Sequence, residues 1–221
     1  MPIILIPIIL ITIIIFIYLL ITKNLIKTFR YKHLPCYDAK HHFINGAQFL
    51  SKSRSTSDRT IAIKLAKQAA DEADRSIALD PNDAASHVLK ALALDAQGYT
   101  TSALTALDVA LSPLTAKSLS DAERGEALFK RAEIKKVSCC KEEERVDSVF
   151  EDLVESVKLY GENAEAFWML GECYEKKGRR EEAVRAYEKA VRIDPVCGAR
   201  DALKRLGSGL VLDIETPPAR E

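Results

Sequence analysis

Hydrophobic and polar residues divide the chain into two unequal parts. From Ile3 to Ile21 no side chain carries a charge, and 11 of these 19 residues are Ile and four are Leu. The first charged side chain is Lys23, so all 32 basic and 32 acidic residues lie downstream. That second part is rich in Ala, Leu, Glu, Lys and Arg, a composition that favours helices.

The first part is long and apolar enough to cross a membrane. At about 1.5 Å per residue its helix would be roughly 30 Å long, which is the thickness of a bilayer's hydrocarbon core. Fifteen Ile and Leu residues contribute roughly −5 to −9 kcal/mol to insertion, which outweighs Pro7 and Thr12. The pattern predicts a transmembrane signal-anchor over residues 1–22 and a single-pass topology.

Two other interpretations of this segment fit less well. A buried strand rarely exceeds about ten residues, and the segment shows neither alternation nor a turn signal. A cleaved signal peptide normally begins with basic residues and ends at a small-residue cleavage site, and this sequence has neither feature.

The flanking charges predict the orientation. Basic residues follow the apolar segment in a linker over 23–37: Lys23, Lys27, Arg30 and Lys32. By the positive-inside rule everything after residue 22 then lies in the cytosol. The sequence does not distinguish the endoplasmic reticulum from the outer membrane of mitochondria or plastids.

Residues 164–195 carry the strongest internal pattern, AEAFWMLGECYEKKGRREEAVRAYEKAVRIDP. Gly171 and Ala183 are small, as close helix crossing requires, and Pro195 stops the second helix. Small and aromatic residues occupy its signature positions: Phe167, Trp168, Leu170, Gly171, Tyr174, Gly178, Ala183, Tyr187, Ala190 and Pro195. The unit resembles a tetratricopeptide repeat.

Weaker copies precede this repeat. The small residues Ser76, Ala110, Ser156 and Ala190 are spaced 34, 46 and 34 residues apart, and 34 is the period of the family. The resemblance implies an all-α fold, a short right-handed α-solenoid of about four helix pairs ending in a capping helix. The predicted copies cover 38–83, 84–118, 119–162 and 163–197, followed by a cap over 198–206 and a flexible tail over 207–221.

Helix-boundary signals support this division. Ser120 and Glu123 form a capping box before the third copy, and Asn163 is placed to cap the fourth. The serine-rich stretch 51–58 is expected to be an insertion in the first copy, with the composition of a disordered linker. Its serines are also candidates for phosphorylation.

The resemblance implies that the first helix of each pair faces a concave groove. Matching positions predict contacts with a partner at Phe43, Leu92, Phe129, Lys130, Trp168, Met169 and Glu172. Further inward positions are Lys40, Ile44, Ala47, Val88, Leu89, Asp95 and Glu133, of which Ile44, Val88 and Leu89 could equally pack between helices. A groove of this kind suits an extended peptide or an amphipathic helix.

Some members of the family hold the C-terminal carboxylate of chaperones with a cationic clamp. The equivalent slots here hold Phe43, Ala47, Leu89, Glu126 and Lys130, so only one has a suitable charge. The sequence therefore predicts no carboxylate-clamp chaperone binding.

Other chemistry finds no support in the residues. A formal net charge of zero argues against nucleic acid as the partner. The five cysteines show no C-x-x-C pairing and are read as reduced thiols. His41 and His42 diverge by about 100° on a helix and cannot share a metal. No catalytic motif is present, so neither an enzyme nor a cofactor is expected.

These patterns predict a membrane-anchored adaptor for protein–protein interaction. Its groove would recruit a peptide or helix of a partner to the cytosolic face of a membrane. Two alternatives remain open at this stage. One is a structural subunit of a membrane complex, and the other is an organelle targeting receptor, because an anchor with a basic C-terminal flank resembles the outer-membrane receptors of mitochondria or plastids.

Overall fold

The computed structural model describes residues 35–137 and 142–207, which contain helices and turns but no strand. The elements are α1 (Pro35–Ser55), α2 (Arg59–Leu79), α3 (Ala84–Ala96), α4 (Thr100–Ala110), a 3₁₀ turn (Ala116–Ser118), α5 (Asp121–Val137), α6 (Glu142–Leu159), α7 (Ala164–Lys176), α8 (Arg180–Ile193) and α9 (Ala199–Arg205). The predicted all-α fold is confirmed for this part of the chain.

The proposed membrane anchor and most of the proposed tail lie outside the described residues. Among the helices of residues 35–137 and 142–207, none is both long and apolar enough to span a bilayer. The repeat boundaries inferred from the sequence stay predictions.

Consecutive helices pack as hairpins that follow one another along the array. The hairpins are α1 with α2, α3 with α4, α5 with α6, and α7 with α8, and α9 packs on α8. The buried residues of the described part form separate clusters, each spanning a hairpin and its neighbour. A core divided in this way is typical of an α-solenoid, in which each repeat contacts only its neighbours.

Small residues allow the helices of a hairpin to approach closely. A Cβ atom on Gly171 would lie 2.5 Å from the ring of Tyr187, so the predicted small position is required by its aromatic neighbour. Two other small positions are serines that satisfy backbone carbonyls. Ser76 Oγ donates to the carbonyl of Ala39 at 2.8 Å, and Ser156 Oγ donates to that of Gly125 at 2.7 Å.

The predicted caps are confirmed. The Ser120 N–H donates to Glu123 Oε2 at 2.8 Å, and the Glu123 N–H donates to Ser120 Oγ at 3.3 Å, which is the reciprocal capping box. The Ala166 N–H donates to Asn163 Oδ1 at 2.9 Å at the start of α7. Gly178 follows the end of α7 with a φ of 70°, a conformation that favours glycine.

The expected disordered insertion over 51–58 is wrong for most of its length. Helix α1 continues to Ser55, and α2 begins only four residues later, after its N-cap Asp58. Ser53 is buried, and its hydroxyl donates to the carbonyl of Ala62 at 2.8 Å. A polar side chain that is satisfied by the next helix allows a serine-rich sequence to stay helical.

One ionic cluster joins α4, α5 and α6. Arg131 donates to both carboxylate oxygens of the buried Asp152, at 3.0 Å and 2.5 Å, and to Asp108 at 2.8 Å. Lys135 Nζ donates to the same Asp152 carboxylate at 2.7 Å. Burial alone would lower the pKa of Arg131, but its hydrogen bonds and charge attraction to the two aspartates outweigh burial and raise it. The cluster therefore ties α5 to α6 and to α4.

Candidate interaction groove

The first helices of the first three hairpins line one open groove of about 500 Å³. Its wall is mainly apolar, with charged residues at the rim. The lining residues on α1, on α3 and on α5 with the turn before it are Phe43, Ala47, Leu50, Ser51, Arg54, Ala85, Val88, Leu89, Leu92, Leu119, Glu123, Glu126, Ala127 and Lys130.

Helical spacing explains why these residues share a wall. On α1, Phe43, Ala47 and Leu50 follow one another at intervals of four and three residues, which places them on one helix face. On α3, Ala85, Val88 and Leu92 share a face in the same way, at intervals of three and four residues. Each first helix therefore contributes one stripe, and the stripes lie side by side because the helices pack in sequence.

One edge of the groove is acidic. Glu123 and Glu126 lie near the start of α5 and line the groove there. Glu126 accepts a hydrogen bond from Asn163 Nδ2 at 2.9 Å, and Glu123 accepts the cap hydrogen bonds from Ser120. Asn163 and Ser120 carry no charge, so these hydrogen bonds do not neutralise the two glutamates and the edge is acidic.

The opposite edge is electrically mixed. Lys130 pairs with Glu133 at 2.7 Å, and Arg54 and Asp95 lie near enough to influence one another electrostatically. Desolvation, followed by repulsion from Glu133, raises the pKa of the Asp95 carboxyl, whereas Arg54 and Lys130 oppose the rise. The C-terminal parts of α1, α3 and α5 thus meet at this edge, which means that the three helices run in the same direction.

Three of the seven predicted contact residues line this groove. They are Phe43, Leu92 and Lys130, one on each first helix. Phe43 and Leu92 are only partly buried, as an open apolar wall requires. Three aliphatic residues could, from the sequence, either face the groove or pack between helices. Of these, Val88 and Leu89 line the groove, whereas Ile44 is exposed and lies outside it.

The other four predicted residues have different surroundings. Phe129 is 1% exposed and Met169 is 5% exposed, and both belong to the core between α5, α6 and α7. Trp168 is half-buried between that core and the cluster under α9, and Gly198 approaches its indole. Glu172 forms an ion pair with Lys136 at 2.5 Å.

A smaller pocket lies between α5, α6 and α7. This pocket of about 40 Å³ lies among Lys136, Met169, Glu172 and Cys173, which is room for a few water molecules but not for a peptide side chain. Burial raises the pKa of the Cys173 thiol, with the nearby Glu172 adding to the effect. This thiol is therefore a packed, weakly reactive group.

Two lining residues, Ser51 and Arg54, were not predicted because the stretch 51–58 was expected to be an insertion and not part of the first helix. If α1 runs to Ser55, then Leu50 and Arg54 lie seven and eleven residues after Phe43, on the same face. The helical periodicity of residues 43–54 was the available signal, and the serine-rich composition obscured it. All five positions compared with the chaperone clamp line the groove, and the wall they form is mainly apolar.

A sequence profile of the tetratricopeptide repeat family matches residues 164–197, the region in which the family pattern is strongest. No curated protein sequence matches the chain closely enough to count as a relative.

Several solved structures have a similar fold. PilF of Pseudomonas aeruginosa superposes with a TM-score of 0.58 at 17% identity, covering 79% of this chain and 71% of PilF. MamA (residues 41 to end) from Desulfovibrio magneticus RS-1 gives 0.53 at 18%, covering 74% of this chain and 84% of MamA. The Cut9–Hcn1 hetero-tetramer of the APC/C gives 0.55 at 16%, covering 73% of this chain and 30% of that one. At these identities the likeness defines the fold, a tetratricopeptide-like α-solenoid.

Proposed function

We propose that the chain is a membrane-anchored adaptor whose groove between α1, α3 and α5 binds a peptide or helix of a partner protein. The apolar segment 3–21 would hold it in the membrane with the helical array in the cytosol. Anchoring raises the local concentration of the groove at the membrane, so that a weak site can recruit its partner there.

The observation that carries the proposal is the open apolar wall formed by Phe43, Leu92 and their neighbours. An apolar concavity with a charged rim suits the apolar face of an amphipathic helix, whose anchors recur three or four residues apart. The tetratricopeptide match and the solenoid fold agree with a protein-binding role. Phe129 and Met169 are left out of the proposed contact surface because they are buried in the core.

Partner capture by the full chain tests the groove. Leu92→Glu places a charge on the apolar wall, and Val109→Glu is a matched control because Val109 is exposed on α4, outside the groove. One apolar anchor contributes about 1.5–3 kcal/mol, or roughly 10- to 150-fold in affinity. We expect quantitative crosslinking from membranes to lose partners with Leu92→Glu and to keep them with Val109→Glu. Equal partner sets from both variants would refute the groove.

Protease protection tests the topology independently. A tag after residue 221 should be cleaved on intact membranes without detergent if the array is cytosolic, and sorting by organelle markers would identify the membrane. Protection of the tag would contradict the orientation. Co-purification that survives high salt and the Leu92→Glu change would favour a permanent structural subunit instead.

A further inference from the structure

The charges around the groove define the chemistry of a suitable occupant. The wall is apolar, the edge at the start of α5 carries Glu123 and Glu126, and the opposite edge balances Arg54 and Lys130 against Asp95 and Glu133. An apolar segment with basic residues on one flank therefore matches the groove, provided that the basic flank lies at the glutamate edge.

The chain itself contains a segment with this chemistry. Residues 3–21 carry no charge, and four basic residues follow within the next eleven positions. Since α1, α3 and α5 run in the same direction, α1 begins on the side of the groove that carries Glu123 and Glu126. The four basic residues thus precede α1 in the sequence, and α1 begins on the side of the acidic edge.

Chain length permits the contact. The thirteen residues 22–34 span up to about 45 Å when extended. The lining part of α1, from Phe43 to Arg54, covers only about 17 Å at 1.5 Å per residue. The linker is thus long enough for residues 3–21 to lie along the wall of their own molecule.

We propose that the groove holds the chain's own residues 3–21 when no bilayer is available, and that membrane insertion releases the groove for a partner. The groove covers one face of the segment, whereas a bilayer covers all of it, so the bilayer wins when present. The proposal rests on the proposed function for what the released groove binds. It makes partner binding conditional on arrival at a membrane.

Site-specific photocrosslinking tests the contact in the full chain. A diazirine analogue of leucine is placed at Leu92 in the groove or at Val109 as the control, during cell-free synthesis without membranes. We expect crosslinks from position 92 to residues 3–21, at least tenfold above those from position 109. Adding phosphatidylcholine–phosphatidylserine liposomes should lower the yield severalfold, with the segment becoming protected from protease.

The charge contribution is tested with Glu126→Gln, which removes the charge but keeps an oxygen to accept from Asn163. It should lower the crosslink yield at low salt, and 1 M salt should erase its difference from the wild type.

Three results would overturn the proposal. They are the absence of crosslinks to residues 3–21 without membranes, crosslinks that persist unchanged after insertion, and crosslinks that join isotopically labelled to unlabelled chains. The proposed function is judged separately, by partner capture at membranes with Leu92→Glu, so either can fail alone.

Discussion

The hairpins α3–α4 and α7–α8 solve one packing problem in two ways. In α7–α8, Gly171 lies against the buried ring of Tyr187. The same positions in α3–α4 hold Ala91 and Leu107, which are buried in one cluster. A smaller residue on one helix accompanies a larger one on the other, so that close packing is kept in both hairpins.

The two regions also differ on the face formed by their first helices. Around α7, Phe129 is buried in the core, Trp168 and Tyr174 pack against it, and a small pocket lies beside Met169. Along α1 and α3, Phe43, Phe49 and Leu92 pack against the core only in part, and the face between the first helices is a groove. The candidate groove is thus lined by the first helices of the weakly matching repeats, and the repeat with the strongest sequence match does not contribute to it.

Removal of the buried Tyr187 ring should have the largest effect on the free energy of unfolding. Tyr187→Ala deletes a fully buried ring, and the Tyr187 hydroxyl donates to Glu175 Oε1 at 2.5 Å. We expect the free energy of unfolding to fall by about 3–5 kcal/mol. Urea unfolding of the full chain in mild detergent, followed by circular dichroism, measures it. Tyr99→Ala is the control, because Tyr99 is 59% exposed and should change stability by less than about 0.5 kcal/mol.

The second-largest loss of stability is expected from the ionic cluster on α4, α5 and α6, which lies between the two hairpins compared above. Asp152→Ala leaves Arg131 and Lys135 without their buried partner, which should cost about 3 kcal/mol. Asp108→Ala removes a partner of Arg131 that is 62% exposed and should cost less than about 1 kcal/mol. Equal losses in the same unfolding assay would show that burial of Asp152 is unimportant.

A double substitution can test whether positions 171 and 187 share one fixed volume, as the comparison of the two hairpins implies. Gly171→Ala forces a methyl group against Tyr187 and should cost about 1–3 kcal/mol. Combining it with Tyr187→Leu recreates the Ala–Leu pair of α3–α4. A double-mutant cycle should then give a favourable coupling of at least about 1 kcal/mol. Additive losses would mean that the two positions do not share one volume.

The smallest loss of stability is expected from removing the cap at the start of α5. Ser120→Ala removes the cap and should cost about 1 kcal/mol at neutral pH. Hydrogen bonds from Ser120 lower the pKa of Glu123 in the folded state, so this contribution is present above about pH 4.3 and is lost as pH falls through the folded pKa. The stability gap between wild type and variant should therefore narrow below about pH 4, which unfolding at several pH values would detect. A constant gap would mean that the hydrogen bond from the Ser120 hydroxyl to Glu123 contributes nothing to stability.

Local features were predictable because neighbouring residues determine them. The capping box of Ser120 and Glu123 and the Asn163 cap each depend on a few consecutive positions, and all were found as expected. The exception is the end of α1, where a hydroxyl satisfied by a carbonyl nine residues away kept a serine-rich stretch helical. Composition does not reveal a partner on the next helix.

The sequence by itself determined the class of fold, the close contact of Gly171 with the second helix, and the helix-boundary signals, since these follow from periodicity and local hydrogen bonding. Only the tertiary structure decided which inward-facing residues stay accessible. Phe43, Leu92 and Lys130 line open space, whereas Phe129 and Met169 are buried in the core between α5, α6 and α7. Helical spacing places a residue on a face, but its exposure depends on the size of the side chains that the neighbouring hairpin packs against that face.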